Sequence, residues 1–283
     1  MTTWRDDVWF FDTEVLPHDW LFCATNEREQ ISVHNDTQLL KAFFDTRKPF
    51  LCGYNSKHYD MYIIKAILSS GSPEDVKAVS DAIVVDGRQG WEIDMGWVTL
   101  PKSFDLMLDL PTMPSLKMIE GNLKMDICES EVNFDTEHPT DAQWAELEEY
   151  CWHDVKALIP LYEARLPYLE NKEALAEMKG LNVKSALNMT NAKLTAMFLG
   201  AQRVERDDER EYEMPSEINV EDIPQELLDF FSRMSDENIS DDELFKSEVK
   251  VKLMEDCTVT YGWGGCHQGT NNYVEETSEK DFD

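Results

Sequence analysis

Asp12 and Glu14 stand two residues apart in VWFFDTE, Asp60 closes GYNSKHYD, and Tyr150 and Asp154 are four apart in EYCWHD. Carboxylates drawn from separate segments suit a pair of divalent cations, and carboxylate and water oxygens favour Mg²⁺ or Mn²⁺. Two such ions activate a water and stabilise the leaving oxygen of an in-line displacement. Phosphodiester hydrolysis is therefore the chemistry these residue types anticipate. A tyrosine with its ordinary pKa of about 10 is a poor base. The role expected of Tyr150 is to orient the attacking water by a hydrogen bond.

These side chains need elements to hold them. VWFFDTE is apolar on both faces up to its acids, which suits a central strand buried on both sides. Alternation along that strand puts Asp12 and Glu14 on one face, about 7 Å apart. Phe10 shares that face and is a candidate border of the cleft. WLFCAT (20–25) and QISVH (30–34) read as a hairpin, and Asp36 to Phe44 as a short helix. PFLCGYN reads as a strand ending in a glycine turn, and YDMYIIKAIL as a helix with Asp60 in its first turn. Residues 103–108 (SFDLML) read as a strand and SLKMIEGNL as a helix. Thr140-x-x-Gln143 is a capping-box pattern opening a long helix, which Pro160 should kink or break near its end. On that helix Tyr150 and Asp154 share a face. The order of elements predicts an α/β fold, a mixed sheet flanked by helices. Its site would lie at strand ends and neighbouring helix starts.

Taken together, Asp-x-Glu at Asp12 to Glu14, Asn-x-x-x-x-Asp at Asn55 to Asp60, and Tyr-x-x-x-Asp at Tyr150 to Asp154 resemble the DnaQ-like 3′→5′ exonucleases of the ribonuclease H-like superfamily. The tyrosine spacing is similar to the proofreading subgroup. The histidine subgroup would carry His where Glu149 stands, and His153 is expected to point elsewhere. The segments FDTEVLPHDWLF, SFDLM, SLKMIEGNL and EYCWHDVKALIPLYEAR further resemble the proofreading domain of phage-type family B DNA polymerases. TNAKLTAMFLG and YGWGGCHQGTNNY resemble the stretch between exonuclease and palm.

The resemblance implies a ribonuclease H-like exonuclease domain over 1–170. It implies a mostly helical extension over 171–283. Asp12, Glu14, Asp60 and Asp154 would hold two Mg²⁺ or Mn²⁺ ions, with Asn55 and Phe10 near a single-stranded DNA 3′ end. It also implies a polymerase catalytic chain or domain as partner and a phage-encoded protein working in the host cytoplasm. The polymerase motif Asp-x-x-Ser-x-Tyr-Pro is absent from this sequence, so the chain alone is not expected to polymerise. A split gene product, a fragment and a free-standing exonuclease all remain open. Asn55 has two readings, a contact to DNA or a turn residue after Gly53. Asp105 is either a supporting acid or solvent-facing, and Lys117 either touches phosphate or decorates a helix surface.

Bulk composition sets limits. The 283 residues are 42% hydrophobic, enough for a sizeable core. No apolar run is long enough to span a bilayer and no signal-peptide layout opens the chain, so a cytoplasmic protein is expected. The net charge of −31 argues against a large non-specific DNA-binding surface, although metal-bound carboxylates are compatible with it. From Ala201 to Asp283 there are 24 acidic and 8 basic residues. That acidity keeps a second reading alive: a non-catalytic interaction module or DNA mimic associated with a polymerase. An RNA-trimming relative is a third reading. The six cysteines read as reduced. Cys257, Cys266 and His267 make a poor zinc pattern lacking a fourth ligand.

Overall fold

Val8–Leu16 form β1, and every residue of it except Asp12 is buried. Such burial is possible only at the centre of a sheet covered on both faces. In this computed structural model β1 lies in the middle of a five-stranded mixed sheet. The structure describes residues 4–201, 221, 223–233, 239–240, 243, 246–254, 257–262 and 265–271. The chain divides into two compact units, Met1–Gln202 and Arg203–Asp283.

The sheet of the first unit runs β3 (Gln30–His34), β2 (Asp19–Thr25), β1, β4 (Phe50–Gly53), β5 (Ser103–Asp105). β1, β2 and β3 form an antiparallel meander, with Asp12 opposite Cys23 and Glu14 opposite Leu21. β4 and β5 add in parallel after crossovers. The crossover between β3 and β4 is α1 (Thr37–Arg47), whose N-cap Asp36 accepts from the Leu39 N–H. Between β4 and β5 lie α2 (Asp60–Ser69) and α3 (Pro73–Val84). Trp9, Phe11 and Val15 of β1 pack with Leu40, Ile63, Ile64 and Val76 from α1, α2 and α3 on one face. Val8 and Phe10 pack on the other with Cys151, Val155 and Leu158.

Those last residues belong to α5 (Asp141–Met178), which follows the short α4 (Leu116–Asn122). The Thr140–Gln143 capping box forms at its start. Contrary to expectation, α5 does not stop at Pro160. It passes through Pro160 and Pro167 and ends at Met178, 38 residues long in all. Each proline removes one N–H bond to the carbonyl four residues back. Those carbonyls belong to Lys156 and Glu163, both exposed, where water can satisfy them. The expected boundary after residue 170 falls inside α5, whereas the first compact unit runs to Gln202 and includes α6 (Val183–Leu187) and α7 (Asn191–Leu199). α3 was not anticipated, although Ser72 caps it and Pro73 opens it.

The second unit contains α8 (Gln225–Ser232), as expected for IPQELLDFFSRM. It also contains an unanticipated antiparallel meander of β6 (Glu248–Met254), β7 (Cys257–Gly262) and β8 (Gly265–Asn271). The extension is thus helical only in part. EVKVKLM alternates apolar and polar residues, which is a strand period. No helix among the described residues is long and apolar enough to cross a membrane. Cys23, Cys52, Cys128 and Cys151 are free thiols.

Strand β5 is shorter than the expected 103–108 because its last residue turns the chain. The buried Asp105 carboxylate accepts the N–H groups of Asn55 (2.9 Å), Lys57 (3.0 Å) and Met107 (2.8 Å). Arg165 of α5 holds the same turn by donating to the carbonyls of Leu106 and Leu108. Asp105 therefore ties the loop before α2 to the end of β5. Asp105→Ala is expected to lose at least about 2 kcal/mol, since three N–H groups lose their acceptor. Urea unfolding that matches the wild type would refute this role.

Candidate active site

Alternation along β1 sends Asp12 and Glu14 to the face of Val8 and Phe10, under α5, and Thr13 to the other. Thr13 donates through Oγ1 to Asp60 Oδ1 at 2.6 Å, so the first residue of α2 is fastened to the central strand. The loop feeding α2 needs Gly53, because a Cβ there would come within 2.6 Å of Ser56 Cβ and 2.9 Å of the Phe11 ring. α5 brings Tyr150 and Asp154 over the strand. Asp12, Glu14, Asp60, Tyr150, Asp154 and Asn55 all line one pocket of about 240 Å³. Three segments distant in sequence thus meet.

Phe10 does not join them. It is buried in the core beneath α5, edge-to-face with Tyr162 at 5.3 Å. Sharing a strand face with Asp12 put it on the right side of the sheet but deeper, where α5 covers it. Asn55 is exposed at the pocket, with φ 55°, and its N–H is held by Asp105. That conformation fits the turn reading, while its position leaves the side chain beside the pocket. Asp105 faces the loop rather than solvent.

The acids are crowded. Loss of water pushes the Asp12 carboxyl well above the usual range, and the charges of Asp60, Glu14 and Asp154 push it further. Glu14 is raised for the same reasons, first burial, then Asp154 and Asp60. Burial lifts Asp60 to about 7, although its bond from Thr13 opposes the shift. The Tyr150 phenol is also raised, by burial and then by the Asp154 and Glu14 charges, so it keeps its proton and can donate.

The sequence left Lys117 open between a phosphate contact and helix decoration, and did not show Glu120 or His153 beside it. Lys117 of α4 pairs with Asp154 Oδ1, lies 3.5 Å from Glu120 Oε1 and stands 4.8 Å from the centre of the Tyr150 ring. It is therefore a site residue and not helix decoration. His153, expected to point away, has Nε2 3.4 Å from Glu120 Oε1. Glu120 is fully buried with neither carboxylate oxygen hydrogen-bonded. The signal available in sequence was Lys117-x-x-Glu120, one helical turn apart and facing one way.

Ligand atoms of Asp12, Glu14 and Cys151 lie within 4.8 Å of one another, as do those of Glu120, His153 and Asp154. The donor set suits a hard divalent cation, being mostly carboxylate oxygen. A cation would also relieve the repulsion that raises these carboxyls. The side chains of Cys257, Cys266 and His267 lie outside the described residues, and so does any zinc site built from them. No protein-family model, curated protein or solved structure matches this chain.

Carboxyls that bind protons more tightly when folded than when unfolded make the fold less stable as pH rises through their range. For Asp60 that range extends from the ordinary value of 3.8 up to about 7. Metal-stripped protein should therefore lose this contribution between about pH 4 and about pH 8. Mn²⁺ should raise the melting temperature more at about pH 8 than at about pH 5. Calorimetry showing an equal Mn²⁺ effect at both would contradict a carboxylate cation site.

Proposed function

We propose that this chain is a metal-dependent 3′→5′ exonuclease that removes nucleotides from single-stranded DNA ends. The observation that carries the reading is the meeting of Asp12, Glu14, Asp60, Tyr150 and Asp154, from three distant segments, in one pocket. A sheet order of 3-2-1-4-5, with an antiparallel meander and two parallel additions, supports a ribonuclease H-like architecture. The 3′ polarity and the DNA substrate rest on the resemblance of the motif spacings.

Asp12, Glu14, Asp60 and Asp154 would hold two Mg²⁺ or Mn²⁺ ions. Bound there, the ions supply an acidified water and charge neutralisation at the leaving oxygen. Thr13 fixes the orientation of Asp60. Tyr150 keeps its proton beside Asp154 and donates a hydrogen bond to the water or a phosphate oxygen. Lys117 places an ammonium where a phosphate would carry negative charge. A polymerase catalytic chain or domain is the proposed source of the substrate end. This part rests on the resemblance of residues 190–200 and 261–273 to the exonuclease-to-palm segment.

Glu14, Asp60 and Asp154 are buried, so the acids at motif spacing are not the charge that a DNA mimic would display.

A 5′-labelled single strand should shorten from its 3′ end with Mn²⁺ or Mg²⁺ and stay intact with EDTA. Asp12→Ala and Asp154→Ala should each reduce shortening to background. Tyr150→Phe should lower kcat by on the order of ten- to a hundredfold with KM little changed. Wild-type rates in the Asp12 variant would defeat the proposal.

A further inference from the structure

Away from the acidic pocket, two depressions of about 650 and 470 Å³ share Leu100, Pro101, Lys102 and Lys184 and so form one groove. It passes the outer side of β5, where Lys102 and Ser103 enter the strand, between α2 and α6. One end lies at Lys57, two residues from Asn55 in the acidic pocket. The other lies at Lys41 and Lys48 of α1 and its cap.

The charge of this groove is opposite to that of the chain. Acidic residues outnumber basic ones 57 to 26, yet among the described residues six lysines line the groove against one acid, Asp45. Lys184 is paired with Asp7, and Lys57 donates to the Asn188 carbonyl. Lys41, Lys48, Lys102 and Lys193 have no ion pair among the described residues. Leaving lysines unpaired amid so many carboxylates points to an anion from outside. Trp97 lines the same groove and is 92% exposed, an indole presented to solvent beside the ammonium groups.

The geometry points to this groove as a binding track for single-stranded nucleic acid, with phosphates on Lys41, Lys48, Lys102 and Lys193 and a base stacked on Trp97. Ammonium groups along a backbone with an aromatic platform are the usual means of holding a single strand without reading its sequence. An acidic peptide would use the lysines but not the indole. That the held strand is the one whose end enters the acidic pocket rests on the nuclease reading. The binding itself does not.

The test uses the full chain carrying Asp12→Ala, so that no strand is cut, and the anisotropy of a labelled oligothymidylate of about twenty nucleotides. Adding Lys41→Gln, Lys48→Gln and Lys102→Gln should weaken binding about tenfold or more at low salt. It should also make the log affinity–log salt slope shallower by about two. Trp97→Ala should weaken the oligonucleotide about fivefold or more while leaving inorganic polyphosphate unaffected. In the chain with Asp12 intact, the lysine changes should not alter hydrolysis of thymidine 5′-monophosphate p-nitrophenyl ester, which covers only the acidic pocket. Unchanged affinity and slope in the triple variant would overturn the track. Equal effects of Trp97→Ala on oligonucleotide and polyphosphate would overturn the assignment to nucleic acid. An Asp12→Ala chain that still cleaves the ester would sink the nuclease reading and leave the track standing.

Discussion

Like charges resist being gathered out of water, and this fold gathers Asp12, Glu14, Asp60 and Asp154 around one pocket. Nothing in the acids themselves favours that arrangement. It is imposed by apolar packing on both faces of β1 and by a few hydrogen bonds that fix angles. The core on one face anchors α2 and so places Asp60, and the core on the other anchors α5 and so places Asp154. Thr13 and Asp105 then act as local ties, one to the acid itself and one to the loop before it. Lys117 brings an ammonium among them and lessens the repulsion on Glu14.

The acids were legible because they sit on elements with strong periodic signals. VWFFDTEVL is too apolar to be anything but an interior strand, and Thr140–Gln143 announces the start of α5. The local ties were not legible, because each depends on distances between segments. Lys117 and Asp154 are 37 residues apart, and no single-segment pattern predicts that they touch. Phe10 misled because alternation tells which face a side chain occupies but not how far along that face the covering helix extends. Pro160 misled for a related reason. The rule that proline ends helices assumes that the freed carbonyl has no partner, and here it belongs to exposed Lys156.

Charge is distributed unevenly at every scale. Residues 201–283 carry 24 acids against 8 bases, while six lysines line the groove beside β5. Within the first unit the motif carboxylates gather in one small pocket, with Lys117 beside them, and six lysines gather along the sheet edge. The loop from Tyr54 to Tyr59 lies between the two regions, with Asn55 lining one and Lys57 the other, and Asp105 accepts the N–H of both.

Helix α5 is a lever. Asp154 lies about a third of the way along it, roughly 20 Å from its start, while the far end, about 36 Å further on, packs against α6 and α7. A tilt of about 2° pivoting at that far end would carry the Asp154 carboxylate about 1 Å relative to the strand acids. Pro160 and Pro167 lie between the two ends, each with one rung of the hydrogen-bond ladder missing. A rod with two rungs missing transmits a bend less faithfully than an unbroken one, and both gaps lie between Asp154 and the far end.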